Sequence, residues 1–227
     1  MPRRSKTSRA RSRPPLNRDR ILEAAVALAD GRGVASLSMR ELASEMGCGA
    51  MSLYNHVAHK DDLLEGMIER VAGEFTIPEA PTEDWRADVR RLARSAQRTL
   101  MRHPWAAPRW SDHEPGPIRL RYLDAILRLL REAGCSVHDA CTAFHAITTH
   151  VVGFTLQRID FPIAYGDLQS VASDFLGRMP REEFPWFAEH VRHHVETPKM
   201  EDGFDFVLDL ILDEVERGLD RAEAPPS

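Results

Sequence analysis

Residues 38–60 read SMRELASEMGCGAMSLYNHVAHK, and this stretch decides the predicted fold. Apolar residues spaced three and four apart predict a short helix on each side of a Gly-Cys-Gly turn at 47–49. Glycine supplies the positive backbone angles that a tight corner between two helices needs. The stretch therefore predicts a helix-turn-helix, whose apolar positions are Leu42, Ala43, Met46, Leu53 and Val57.

The composition favours an all-α protein. The chain has 227 residues, of which 43% are hydrophobic, 29% charged and 7% aromatic, so it can bury one substantial core or two modest ones. No stretch alternates like a strand, and no window reaches the roughly 20 apolar residues of a membrane span. Cys48, Cys135 and Cys141 form no zinc pattern, which is typical of reduced thiols. We expect a cytoplasmic protein with no membrane contact.

Three segments are predicted along the chain. Residues 1–16 are a basic arm without acidic residues, although the net charge of the chain is −5, and we expect the arm to be disordered until it binds a partner. It either contacts DNA phosphates or remains a solvated tail. Residues 17–75 form the helix-turn-helix domain with a linking helix at 60–75, and residues 76–227 form a helical bundle.

Within the bundle, two expectations concern whole segments. Residues 118–133 are apolar nearly all round, which predicts a helix at the centre of the bundle. Residues 160–201 hold Pro162, Pro180, Pro185 and Pro198 and are expected to be irregular.

A cluster of polar side chains distinguishes this helix-turn-helix from a helical corner that has only a structural role. A glycine turn alone also occurs in structural bundles. Hydroxyl, phenol, amide, imidazole and ammonium groups on and after one short helix, however, are the groups that reach phosphates and base edges. The residues are Ser52, Tyr54, Asn55, His56 and Lys60.

Residues 20–75 resemble the N-terminal domain of the TetR family of transcriptional repressors. The matching motifs are the RILEAA opening, the G-ASLSMRELA step, the LYNHV recognition helix and the start of the linking helix at 60–64. The resemblance implies that Tyr54, His56 and Lys60 hold phosphates. It also implies that Ser38 and Arg40 approach DNA from the second helix.

The residues nearest the bases, by the same resemblance, are Ala50, Met51 and Ser52. Many family members have polar residues at the first two positions, whereas alanine and methionine can contact a thymine methyl but cannot form bidentate hydrogen bonds. We expect direct readout to depend on Arg40, Ser52 and Asn55. Residues 17–75 hold six Lys or Arg against ten Asp or Glu, so the basic arm is a candidate for compensating contacts.

The C-terminal segment resembles, more loosely, the ligand-binding domain of the tetracycline-repressor branch. The matching pieces are HPW at 103–105, GP at 116–117, AGCS at 133–136 and THVVGF at 149–154. The resemblance implies a small-molecule inducer, predicted to be apolar or aromatic, that displaces the linking helix and releases operator DNA. For each pocket candidate, plain core packing remains the alternative, and for His150 a hydrogen-bonded core position is favoured. The candidates are Trp105, Trp110, Leu127, His145, Thr149, His150, Phe154, Gln157 and Phe161.

A homodimer is expected, because two copies of a small reading unit double the DNA contact. The helices at 137–158 and 204–219 are the candidates for a four-helix contact across a two-fold axis, and the alternative is that both faces serve the chain's own core. Neither tetracycline nor magnesium is predicted, since Gln157 or Arg158 stands where an acidic partner is expected. No other cofactor or metal is predicted.

Two alternative functions stay open at this point. The first is a dimeric DNA-binding regulator that senses no small molecule. The second is a helical metalloenzyme that uses His190, His193 and His194, although no HExxH motif or third ligand accompanies them and a solvated helix face is favoured. No nucleophile elbow, phosphate loop or dinucleotide fingerprint is present, so we predict a ligand-responsive repressor and no enzyme.

Overall fold

A computed structural model describes residues 15–112, 114–160, 165–196 and 203–223. All regular elements in these ranges are helical, which confirms the predicted class. The chain divides into two compact units, residues 1–70 and 71–227. The α-helices are α1 Arg18–Arg32, α2 Met39–Met46, α3 Ala50–Tyr54, α4 Lys60–Ala72, α5 Trp85–Arg102, α6 Pro117–Glu132, α7 Val137–Asp160, α8 Tyr165–Arg178, α9 Pro185–Glu196 and α10 Gly203–Glu223.

The first unit packs α1, α2, α3 and most of α4 around one small core. The side chain of Asn17 accepts a hydrogen bond from the backbone N–H of Arg20 and thereby caps the start of α1. The linking helix ends at Ala72, short of the predicted residue 75. The fully buried side chains at the centre include Ile21, Leu42, Leu53, Leu63 and Met67.

The corner between α2 and α3 forms as the sequence predicts. Gly47 has φ +62° and ψ +40°, the left-handed conformation that ends a helix most easily at glycine. At the other end of α2, Ser38 Oγ accepts a hydrogen bond from the backbone N–H of Glu41. The return half of a capping box is absent from this helix, because the Glu41 carboxylate instead pairs with Arg32 at 2.6 Å. The second helix is thereby held against α1.

Gly66 allows α1 and α4 to approach closely, which no local sequence pattern indicates. A Cβ atom added at Gly66 would lie 2.7 Å from Cδ2 of Leu22. That distance is shorter than a van der Waals contact, so even alanine would force the buried leucine to move.

Arg18 and Asp62 clamp the start of α1 to the start of α4. Nη2 of Arg18 donates to Oδ1 of Asp62 at 2.6 Å, and Nη1 donates to the carbonyl oxygen of His56 at 3.0 Å. Asp62 also accepts from the backbone N–H of Ala58 at 2.7 Å. The hydrogen bond from Arg18 holds the pKa of Asp62 below its ordinary value.

Replacing Asp62 by asparagine is expected to destabilise the first unit by about 1 kcal/mol at neutral pH, a modest value because Arg18 is 42% exposed. Because the pKa of Asp62 is lowered on folding, its contribution is complete above the unfolded pKa and is lost as the pH falls through the folded one. The difference between Asp62→Asn and the parent should therefore shrink below about pH 4. Hydrogen exchange of the α1 and α4 backbone amides measures this difference in stability. Asp61→Asn, a change at the exposed neighbour, is the control, and equal exchange in both variants would contradict the clamp.

The second unit is organised around α7, which packs against α5, α6 and α10. Small and apolar residues at three- and four-residue spacing form its buried side. The prediction that residues 118–133 form the central helix is wrong in one respect: on α6, Leu120 is 51% exposed and its neighbour Arg119 is 1% exposed. The buried residues of α7 are Ala140, Ala143, Ile147, Val151 and Thr155.

Ion pairs join α5 to α10 in a regular ladder. Arginines four residues apart on α5 face aspartates four residues apart on α10, and the two series run in opposite directions, as an antiparallel helix pair requires. Arg90 Nε lies 2.6 Å from Asp209 Oδ1, and Arg94 Nε lies 3.0 Å from Asp205 Oδ1. Arg86 pairs with Asp213 and, at 2.5 Å, with Glu216.

The segment predicted to be irregular contains a helical hairpin, so that prediction is wrong. Helices α8 and α9 pack on each other through Ala172, Ala188 and Val191. Pro185 does not interrupt α9 because it is the first helical residue, where a missing N–H costs nothing. Among the described helices, none is long and apolar enough to cross a membrane.

Candidate functional site

The recognition helix α3 is anchored by its apolar side and presents its other side to solvent. Leu53 and Val57 are buried in the first unit, whereas Met51 is 77% exposed and Tyr54 44% exposed. The nine predicted DNA-contacting residues extend from the cap of α2 to the first residue of α4. Ser38, Arg40, Met51, Tyr54, Asn55 and Lys60 are exposed, and Ala50, Ser52 and His56 are half-buried.

Two of these residues also have structural contacts. The hydroxyl of Ser38 is engaged as the α2 cap, so a phosphate would meet the backbone amides of the first turn rather than a free hydroxyl. The carbonyl oxygen of His56 accepts the hydrogen bond from Arg18, which fixes the chain after α3. Arg32 is occupied by Glu41 and, at 3.5 Å, by Glu45. Arg40 and Lys60 are exposed cations of this surface.

A cleft of about 490 Å³ lies in the second unit between α6, α7 and the segment that precedes α6. We call it the α6–α7 cleft. Among the pocket residues predicted from the sequence, it contains Trp110 and Thr149. The full lining is Trp110, Ser111, Pro115, Arg119, Leu123, Thr148, Thr149, Val152, Gly153 and Leu156.

The remaining pocket candidates do not gather around this cleft. His150 lies on the side of α7 that faces α10, where its Nε2 is 2.9 Å from the carbonyl oxygen of Phe204 and its ring stacks on the Phe204 ring at 4.6 Å. Phe154 meets the same ring edge-on at 5.3 Å. Trp105 is buried beside His103. Leu127 is half-buried, His145 and Gln157 are exposed, and Phe161 lies outside the described residues.

An aromatic cluster, Phe75–Trp110–Tyr122, includes Trp110, which lines the α6–α7 cleft. The ring of Trp110 stacks on Phe75 at 5.4 Å, and Tyr122 meets Phe75 edge-on at 5.0 Å. Tyr122 is 2% exposed, and its hydroxyl has no hydrogen-bond partner among the residues that the structure describes. Burial raises the pKa of Tyr122, so the hydroxyl stays protonated at neutral pH. Sequence reasoning missed Tyr122 and Arg119, because a helix that is apolar nearly all round does not reveal which side faces the core.

A second cleft, of about 540 Å³, lies between the first half of α7 and the second half of α10. Ala143, Ile211 and Val215 form its apolar floor, and Asp139 and Glu214 lie at its rim. Burial raises the pKa of Cys135, which also lines this cleft, so this thiol is less reactive than a free cysteine.

Comparisons with known proteins give a family for both parts of the chain. The family described as bacterial regulatory proteins, tetR family, matches residues 21–67, and the tetracyclin repressor-like C-terminal domain matches residues 77–219. The chain belongs to the TetR family of regulators. The resemblance inferred from the RILEAA and LYNHV motifs is thereby confirmed.

Two curated relatives of this TetR family chain are named as regulators. An HTH-type transcriptional regulator of Saccharopolyspora erythraea is 37% identical over 145 residues, which is 63% of this chain and 61% of the relative. The HTH-type transcriptional repressor DrrR1 of Streptomyces coeruleorubidus is 37% identical over 144 residues, 62% of this chain and 53% of the relative. The chain thus matches between about half and three fifths of the length of these relatives.

A solved structure shares the fold over nearly the whole chain. The TetR family protein ActR of Streptomyces coelicolor, in complex with actinorhodin, has a TM-score of 0.75 and 28% identity. The alignment covers 91% of this chain and 99% of ActR. The combination of helix-turn-helix and C-terminal helical domain is therefore that of a ligand-binding regulator family.

The histidines of α9 lie on the α8–α9 hairpin of this regulator. They are distant in sequence from the residues that line the α6–α7 cleft. Nε2 of His190 is 3.2 Å from Nε2 of His194, and burial followed by the two neighbouring histidines lowers the pKa of His194. Within the ranges that the structure describes, no group of three or more His, Cys, Asp or Glu side chains is placed to hold a metal ion. The family description and the relative from Saccharopolyspora erythraea both name regulators.

Proposed function

We propose that this chain is a transcriptional repressor that binds operator DNA as a homodimer and is released by an apolar or aromatic small molecule. The observation that carries the proposal is the exposed polar surface of α3 and the start of α2, on a helix-turn-helix whose apolar side is fully anchored. Family membership supports DNA binding, and the ActR complex with actinorhodin supports small-molecule binding by the C-terminal domain.

The residues of the proposed surface have two roles: some position α3 on the DNA, and others read the base sequence. Tyr54, His56 and Lys60 hold phosphates and fix the register of α3 in the major groove. Met51, at the exposed tip of α3, contacts a thymine methyl group. Arg40, Ser52 and Asn55 supply the polar contacts to base edges. Since few side chains reach the bases, sequence-dependent DNA shape carries part of the specificity.

The proposed dimer uses α7 and α10. Phe206 is 67% exposed and Leu210 is 50% exposed, on the side of α10 opposite the buried Leu208 and Leu212. Large apolar side chains that share one exposed helix face mark a protein interface. A two-fold pairing of this face matches a palindromic operator, because both have the same symmetry.

Release by a ligand requires a difference in affinity between two conformations. A small molecule that binds the second unit equally well in the DNA-bound and the released conformation does not shift the equilibrium between them. Helix α4 extends from Lys60 to Ala72 and crosses the boundary between the two units at residue 70, so it is the element through which occupancy of the second unit reaches the first. The inducer must therefore favour the conformation in which the two copies of α3 no longer fit successive major grooves.

Arg40→Ala and Tyr54→Ala are each expected to lower operator affinity about ten-fold, because each removes contacts to DNA and neither side chain is part of the core. Fluorescence anisotropy with an operator selected from random duplexes measures the affinity. Arg70→Ala, which removes an arginine from the last turn of α4, is the matched control. Unchanged affinity in both recognition variants, with the helical circular dichroism signal intact, would contradict the assignment. A thermal-shift screen that finds no stabilising small molecule would instead favour a dimeric regulator without a sensing role.

A further inference from the structure

We infer that the α6–α7 cleft binds an aromatic molecule that carries a carboxylate, and that Arg119 recognises the carboxylate. This inference rests on the proposed function and names the chemical class of the small molecule. The sequence predicts only an apolar or aromatic ligand, so the acidic group is the new element.

The position of Arg119 is the first observation. Its side chain is 1% exposed, yet it lines the cleft. Nη1 donates to the carbonyl oxygen of Trp110 at 2.9 Å, and Nη2 donates to the carbonyl oxygen of Glu114 at 2.7 Å. These two hydrogen bonds hold the planar guanidinium in one orientation at the cleft wall. A fixed, desolvated guanidinium binds a carboxylate by charge-assisted hydrogen bonds that are stronger than those to a neutral carbonyl.

The other walls suit a flat apolar body. Trp110 offers an indole ring, and Leu123, Val152 and Leu156 line the cleft from α6 and α7. A Cβ atom added at Gly153 would meet nothing within 4 Å, so the α7 wall leaves open space at that position. A volume of about 490 Å³ lies within the range of small-molecule sites, which is roughly 300–1,000 Å³.

The position of the cleft also links ligand binding to the segment that follows α4. The guanidinium carbon of Arg119 lies 6.0 Å from the centre of the Trp110 ring, and the same ring stacks on Phe75 at 5.4 Å. Phe75 follows the end of α4 by three residues. A ligand that shifts Trp110 therefore acts on the segment that continues from α4, whose movement the proposed release requires.

Two isosteric probes test the charge requirement on the unmodified protein. We expect 2-naphthoate to bind at least about ten-fold more tightly than 2-naphthamide, because the two share size and shape but only the first is an anion. Isothermal titration calorimetry at neutral pH measures both affinities. In Arg119→Met the preference should collapse, and in Arg119→Lys it should be intermediate, since lysine keeps the charge and loses the planar fork. Equal affinities in the unmodified protein, or binding of neither probe, would overturn the inference.

A second pair of variants keeps the test valid if the buried arginine cannot be replaced without unfolding. Gly153→Leu fills the open space of the cleft and leaves Arg119 in place, so both probes should lose affinity. Gly177→Leu introduces the same side chain on α8, where an added Cβ also meets nothing within 4 Å, and binding should be unchanged. Binding of the probes to Gly153→Leu with parental affinity would also overturn the site.

The outcome separates this inference from the proposed function. Operator binding without any probe tests the repressor assignment alone. A protein that binds its operator and releases it with a neutral aromatic molecule, while showing no preference for naphthoate, retains the proposed function and loses the anion site.

Discussion

Replacing Phe206 and Leu210 together by aspartate is expected to convert the protein into a monomer and to lower its operator affinity by about a hundred-fold or more. The two side chains are 67% and 50% exposed on one face of α10, so the change adds charge to a surface that the proposed dimer buries. A monomer reads one half-site and loses the second set of contacts. Sedimentation velocity measures the assembly state, and anisotropy measures the affinity.

The control for this pair is Leu120→Asp, which adds a carboxylate at an apolar residue of α6 that is 51% exposed. This variant should remain a dimer with parental operator affinity. A Phe206→Asp, Leu210→Asp variant that still sediments as a dimer would refute the assignment of this face of α10 to the interface. A variant that becomes monomeric but keeps full affinity would instead show that DNA binding does not depend on the dimer.

The helix-turn-helix was predictable because its signals are local. The Ser38 cap and the left-handed Gly47 each depend on a few neighbouring residues, and the structure places both where the sequence indicates. The contacts that join these pieces were not predictable. The Arg18–Asp62 clamp spans 44 residues, and the space that Gly66 leaves for Leu22 depends on how two helices cross.

The second unit shows where periodicity fails. On α6 the apolar pattern covers nearly the whole circumference, so it does not distinguish Arg119, which is buried, from Leu120, which is exposed. The carbonyl oxygens of Trp110 and Glu114, which come from the segment before α6, accept hydrogen bonds from the guanidinium and offset part of the cost of burying the arginine. The predicted pocket residues lie in different places because the sequence pattern likewise does not show which side of α7 faces which neighbour. Thr149 and His150 are adjacent in sequence, but one lines the α6–α7 cleft and the other contacts Phe204.

Phe204→Ala is expected to lower the free energy of unfolding of the second unit by about 3–5 kcal/mol. Phe204 is fully buried, stacks on His150 at 4.6 Å and lies 4.5 Å from the guanidinium carbon of Arg94. Its removal leaves a cavity where α5, α7 and α10 meet, and it also takes away the ring against which Arg94 of the ion-pair ladder packs. All four tryptophans lie between residues 85 and 186, so tryptophan fluorescence during urea denaturation reports on the second unit alone.

Phe184→Ala makes the same chemical change at a ring that is 52% exposed, and it should alter stability by less than about 0.5 kcal/mol. The comparison isolates burial, because the two substitutions remove the same atoms. If Phe204→Ala costs no more than Phe184→Ala, the junction of the three helices does not depend on this ring. If the cost is as large as expected, the α7 face that holds His150 and Phe154 belongs to the core. The space for a ligand then lies on the other side of α7, where Arg119 and Trp110 form the wall.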